Sequence, residues 1–87
     1  MEAKIQAYNK LAKDSKVRQK LHDIDLNISW GRLSRDYFDK SASWFYNKLN
    51  GRDGNGGEGG FTPDELQQLK GALCDLSERI RRAADKL

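Results

Sequence analysis

Phe61 to Leu66, Phe-Thr-Pro-Asp-Glu-Leu, marks a helix start more sharply than any other stretch of the chain marks a boundary. Thr62 is a helix-capping residue type and Pro63 takes the first helical position, where its missing N–H costs nothing. Glu65 stands three residues after the cap, completing a capping box, and Phe61 with Leu66 supplies the matching hydrophobic staple. Beyond this start, Leu66, Leu69, Leu73, Leu76, Ile80, Ala83 and Leu87 alternate at spacings of three and four, those of a coiled-coil seam. Asp64 and Glu65 complement the positive helix start, and Arg79, Arg81, Arg82 and Lys86 the negative end. A long helix over 61–87 is predicted. The rest of an 87-residue chain must supply what packs against it.

The other segments are also helical in pattern. Few residues favour strands and most apolar positions recur at three and four, so the expected fold is all-α. At this length the chain is one domain, a small helical bundle with a modest core. Residues 1–28 form an N-terminal helical segment, read as Glu2 to Ile24 followed by a connector over Asp25 to Ser29. Ile5, Tyr8 and Ala12 share one face; Val17, Leu21, Ile24 and Ile28 share another. The two runs are out of phase, and Asp14-Ser15 at the break is able to cap a second helix. One helix with a phase slip and two helices with a kink both fit.

Residues 29–51 read as two short helices. Ser29 caps the first, about Trp30 to Phe38, whose apolar face is Trp30, Leu33, Tyr37 and Phe38. Asp39-Lys40 makes the turn, Ser41 caps the second helix, about Ala42 to Asn50, and Asn50-Gly51 is a left-handed stop. Phe45 and Leu49 face inward. Successive helix residues are about 100° apart, so Trp44 and Tyr46 fall on the flanks and at least one is partly exposed. Residues 52–60, with glycine at five of nine positions, read as a flexible surface loop. The loop lacks the Gly-Lys-Ser/Thr ending and the preceding strand of a phosphate-cradling loop.

Trp30 to Gly51 resembles the helix-turn-helix of Cro/repressor-like DNA-binding proteins. Leu33-Ser34 stands where that family has Leu-Ala, and Phe45 fits an inward position of its recognition helix. Asp39 replaces the turn glycine, and Lys40 an apolar residue. A wider pattern runs from Ile28 to about Arg81: Tyr37-Phe38-x-Lys40-Ser41, Ser43-Trp44, Leu49-Asn50-Gly51, Phe61-Thr62-Pro63 and Glu65-Leu66. It resembles a family of small proteins of unknown function from gut anaerobes of the Bacteroidetes.

The helix-turn-helix resemblance implies a regulator or accessory protein that binds double-stranded DNA. Net charge is +3, and of the three segments 1–28, 29–52 and 53–87, with net charges of +2, +3 and −2, residues 29–52 carry the largest positive excess, five Lys/Arg against two Asp/Glu. On that reading Ser43, Tyr46 and Asn47 address bases, and Asn suits adenine. Arg35, Lys40, Ser41, Lys48 and Arg52 touch phosphate and set register. The seam of the C-terminal helix predicts a homodimer whose contact includes Leu76, Ile80 and Ala83. The alternative is a protein–protein interaction or dimerisation module with no nucleic-acid role.

Other classes find little support. With His22 the only histidine and Cys74 the only cysteine, a Cys/His zinc cluster is impossible, and no metal, cofactor or small-molecule substrate is expected. Cys74, close to the seam, reads as a small buried apolar group rather than a nucleophile. No disulfide can form within the chain. No apolar run approaches the roughly 20 residues of a membrane span, and Met-Glu-Ala-Lys-Ile-Gln has no signal-peptide core, so the expected location is the cytoplasm.

Overall fold

A computed structural model of the chain describes residues 16–53, 57 and 59–87. The out-of-phase run Ile5–Ala12 and the expected cap at 14–15 lie outside the described residues. The described residues fold as all-α. Helix α1 (Lys16–Lys20) leads through a turn into a short 3-10 helix at Asp25–Asn27. Three longer helices come next: α2 (Trp30–Phe38), α3 (Ala42–Leu49) and α4 (Pro63–Asp85). The connector expected at 25–29 therefore contains the 3-10 turn.

Among the described residues each helix-start cap acts where the sequence puts one. Ser29 accepts a hydrogen bond from the Arg32 N–H and Ser41 from the Trp44 N–H. Thr62 closes the full capping box: its hydroxyl accepts from the Glu65 N–H at 3.1 Å while its own N–H donates to Glu65 Oε1 at 2.8 Å. These side chains satisfy donors that a helix start otherwise leaves unpaired, at about 1 kcal/mol each.

Helices α2 and α3 form a tight pair around an aromatic core. Trp30, Leu33, Phe38, Phe45, Leu49, Leu69 and Ala72 are its buried members. Trp30 stacks on Phe45 with ring centroids 5.4 Å apart, and Phe61 meets Phe45 edge-on at 5.2 Å. Such pairs add about 0.5–1.5 kcal/mol to the burial of the rings themselves. Val17, Leu21, Ile24 and Ile28 pack on the core as their shared spacing predicts. The Trp30 indole N–H donates to Asp25 at 2.6 Å, so the large ring is buried without orphaning its polar atom. Arg18 ties this corner to the end of α3, pairing with Asp25 at 3.4 Å and donating to Asn50 at 2.6 Å.

Helix α4 packs on α2 and is pinned at Tyr37. Gln68 donates to the Tyr37 carbonyl at 2.6 Å, the Tyr37 hydroxyl bonds the Asp75 carboxylate, and Arg79 donates to the Tyr37 oxygen at 3.0 Å. The buried line on α4 is rotated from the expected seam. Leu69 and Ala72 are enclosed and Leu73 and Leu76 are half-buried. Leu66 is 37% exposed, because Phe61 packs on Phe38, Trp44 and Phe45. Cys74 is exposed rather than buried, lying one residue past Leu73 and so about 100° around the helix.

The described part of the glycine-rich loop is organised at its base. The Asp53 N–H donates to the Gly57 carbonyl, the Gly57 N–H to the Asp53 carboxylate, and the Gly59 N–H to the Gly51 carbonyl. Gly51 has φ 81, the left-handed stop expected after α3.

Candidate nucleic-acid interface

The turn between α2 and α3 is built by two residues. Asp39 has φ 55, the left-handed conformation a turn glycine would supply, and Asp tolerates it better than most residues. The N–H groups of Asp39 and Lys40 both donate to the Ser34 carbonyl, a Schellman-type closure. Ser34, fully buried where the resembling family has Ala, places its hydroxyl between the carbonyls of Lys40 and Ser41, at 3.1 and 3.0 Å. One side chain thus holds both strands of the turn and fixes how α3 leaves α2.

That geometry sets the outward side of α3. Phe45 and Leu49 point inward and are completely covered. Ser43, Tyr46, Asn47 and Asn50 follow at helical spacing on the other side. Ser43 is exposed and Tyr46 is 40% exposed. Asn47 is half-buried and already has a partner within the chain. Its amide carries donors and acceptors enough for one further bond. Trp44 is half-buried, tilted against Phe38 at 5.3 Å, with the ammonium groups of Lys40 and Lys48 lying 5.9 and 5.6 Å from its ring. It is a core flank covered by lysines, each cation–π contact being worth roughly 0.5–1 kcal/mol at such partly exposed sites.

The basic residues divide. Arg35 on α2, Lys40 just before α3 and Arg52 just after it are exposed. Ser41 caps α3 and still has its hydroxyl proton to donate. Lys48 is a different case. Its side chain is 11% exposed, and its ammonium bonds Glu65 at 3.0 Å and the Gly60 carbonyl at 3.1 Å. The expected phosphate contact at Lys48 is thereby corrected to an internal strut joining α3, the loop and the start of α4. Arg32 is likewise paired, with Asp36 one helical turn on. The strut escaped the sequence reading because nothing local marks a lysine that points inward. The distant partner, Glu65, was already accounted for by the cap.

Glu65 feels this arrangement. Partial burial pushes its carboxyl up, but the Thr62 N–H, the Lys48 ammonium by hydrogen bond and charge, and the Thr62 hydroxyl outweigh that and hold it below the ordinary glutamate value. A group whose folded pKa is depressed contributes stability above its unfolded pKa and loses it as pH falls through the folded one. Unfolding midpoints in urea are therefore expected to drop as pH falls below the normal glutamate range. Glu65→Gln should flatten that part of the acid limb, and an unchanged acid limb would show the strut to be energetically silent.

The dimer residues are placed unequally. Leu76 is half-buried against the core, Ile80 is 56% exposed and Ala83 is exposed. Beside them Ile28, Leu33, Tyr37, Leu76 and Ile80 border a groove of about 260 Å³, with Arg32, Asp36 and Arg79 at its rim. Among the described residues no group of His, Cys, Asp and Glu is placed to hold a metal ion. No helix among them is long and apolar enough to cross a membrane.

Fold and site together define a small all-α protein that presents a capped, tightly turned helix pair beside one long helix. Residues 17–87 match a domain of unknown function, DUF5053, and the chain belongs to that family. No curated protein and no solved structure matches it.

Proposed function

We propose that this chain binds duplex DNA as a small regulator or accessory protein, with α3 entering the major groove. The observation that supports it is the outward side of α3. Its large apolar residues turn inward, its outer positions carry hydrogen-bonding side chains, and exposed cations stand at both ends. Ser43, Tyr46 and Asn47 address base edges. Arg35, Lys40, Ser41 and Arg52 contact phosphate and hold the register.

With three exposed cations per chain at the phosphates, Arg35, Lys40 and Arg52, a fourfold rise in salt should weaken binding roughly 40-fold, from about 0.9 released counterions per contact. The experiment is a titration of a random duplex pool at about 50 and 200 mM salt. Lys40→Ala with Arg52→Ala should weaken binding to all sequences, and Ser43→Ala or Asn47→Ala should shift sequence preference. No binding at the lower salt sinks the reading. An interaction module without a nucleic-acid role is the second reading. It is favoured by the internal ion pairs of Arg32 and Lys48, two of the five cations on this unit.

A further inference from the structure

Asn50 closes the outward line that Ser43, Tyr46 and Asn47 begin, and it is exposed. From Ser43 to Asn50 is about 10 Å at 1.5 Å per residue, within the roughly 12 Å width of a major groove, so all four side chains fit one groove. Arg18 sets Asn50 apart. The Arg18 Nη1 donates to Asn50 Oδ1 at 2.6 Å. A guanidinium holds donors alone, so the amide must turn its oxygen to Arg18 and its N–H2 away. Among the described residues nothing accepts from that N–H2.

Arg18 is itself held from the core outward. Its guanidinium pairs with Asp25 at 3.4 Å, and Asp25 accepts the indole N–H of Trp30, a residue only 1% exposed. The line Trp30, Asp25, Arg18, Asn50 thus runs from a buried ring to an exposed amide. It fixes the orientation of a surface group that is otherwise able to rotate.

We infer that Asn50 is a further base-reading residue, selective for guanine, and that Arg18 is the positioning residue that makes it so. The inference rests on the DNA reading and deepens it. An unrestrained Asn pairs with adenine by facing it with both atoms, the oxygen to N6–H2 and the N–H2 to N7. Asn50 has its oxygen turned to Arg18 and offers the groove donors only. Guanine shows two acceptors side by side there, N7 and O6, and no donor. Cytosine meets the amide donor to donor, and adenine sets N6–H2 beside its one acceptor. Thymine has a single acceptor, O4, next to a methyl group.

The experiment selects binding duplexes from a random pool with the full chain, as parent, Asn50→Ala and Arg18→Ala, each first shown to keep the parental helical circular dichroism. The parent should enrich guanine at one position. Asn50→Ala should lower that preference roughly 2- to 12-fold, the range for one neutral hydrogen bond, and leave the other positions unchanged. Arg18→Ala frees the oxygen, so the preference at the same position should move from guanine to adenine. A strut without a reading role would lower stability and leave the preference where it was. The side-chain N–H2 resonances of Asn50 in the isotope-labelled parent, identified by their absence from Asn50→Ala, should shift on adding a selected duplex. That readout needs no Arg18 variant. Asn50→Ala that weakens all sequences alike marks a phosphate contact and overturns the inference. An Arg18→Ala protein that keeps guanine overturns it too, as does an N–H2 pair that stays still. A parent that binds no duplex removes the DNA reading together with this one, whereas a parent that binds with Asn50 silent removes this one alone.

Discussion

Phe45→Ala is expected to destabilise the fold by about 3–5 kcal/mol, the range for removing a fully enclosed aromatic ring. Phe45 has no exposed surface, and its ring lies between Trp30 at 5.4 Å, Phe38 at 5.8 Å and Phe61 at 5.2 Å. Those residues come from α2 and from the lead into α4, so the cavity would open where three elements meet. A domain this small has a total stability toward the lower end of about 5–15 kcal/mol, so the variant should be largely unfolded under mild denaturant. Tyr46→Ala, one residue on and 40% exposed, should change stability by no more than about 0.5 kcal/mol. Urea titrations of the two variants side by side give the comparison. Equal losses would mean that α3 does not present the faces described.

Ser34→Ala is expected to cost about 1–3 kcal/mol, although it removes a single oxygen. The oxygen is fully buried and its proton lies between the carbonyls of Lys40 and Ser41. Alanine removes the donor between them: the Lys40 carbonyl loses the Ser34 hydroxyl, the Ser41 carbonyl keeps only the Phe45 N–H at 3.3 Å, and the penalty is that of a desolvated polar group left unpaired. Beside this hydroxyl the turn is closed by the Asp39 and Lys40 N–H bonds to the Ser34 carbonyl, with Asp39 at φ 55, a conformation that side chains other than those of Asn and Asp resist. The same variant should therefore broaden the amide resonances of residues 39–43. A loss below about 0.3 kcal/mol with unchanged resonances would remove Ser34 from its role. It would leave the Asp39 and Lys40 N–H bonds as the whole closure.

Sequence reading and structure agree where the determinants are local. Ser29, Ser41 and Thr62 each reach only three residues along the chain, so their caps were legible from type and spacing. The 100° step sends Phe45 inward and Trp44 and Tyr46 to its flanks, while the structure decides that Tyr46 is the exposed one and Trp44 the half-buried one. Agreement fails where position depends on a remote partner. Lys48 turns inward because Glu65 and the Gly60 carbonyl await it across a loop. The α4 stripe names seven candidates for one face, yet Ala72 rather than Leu66 is enclosed. Which part of a stripe is covered depends on the angle at which α2 meets it, and that angle is set by Tyr37 with Gln68, Asp75 and Arg79. No spacing rule contains that information. The buried role of Ser34 was equally hidden, since Ser in mid-helix usually points to solvent or back-bonds within its own helix.

The chain carries two basic regions, the exposed cations around α3 and the group Arg79, Arg81, Arg82 and Lys86 near the end of α4. Duplex DNA could be drawn to either, and only the first fits a reading helix. The most direct measurement is a map of backbone amide shifts in the isotope-labelled chain as a short duplex is added at low salt. The account predicts shifts concentrated from Lys40 to Asn47 and at Arg52, with little change from Ile80 to Leu87. Shifts confined to the end of α4, or none at saturating duplex, would contradict it.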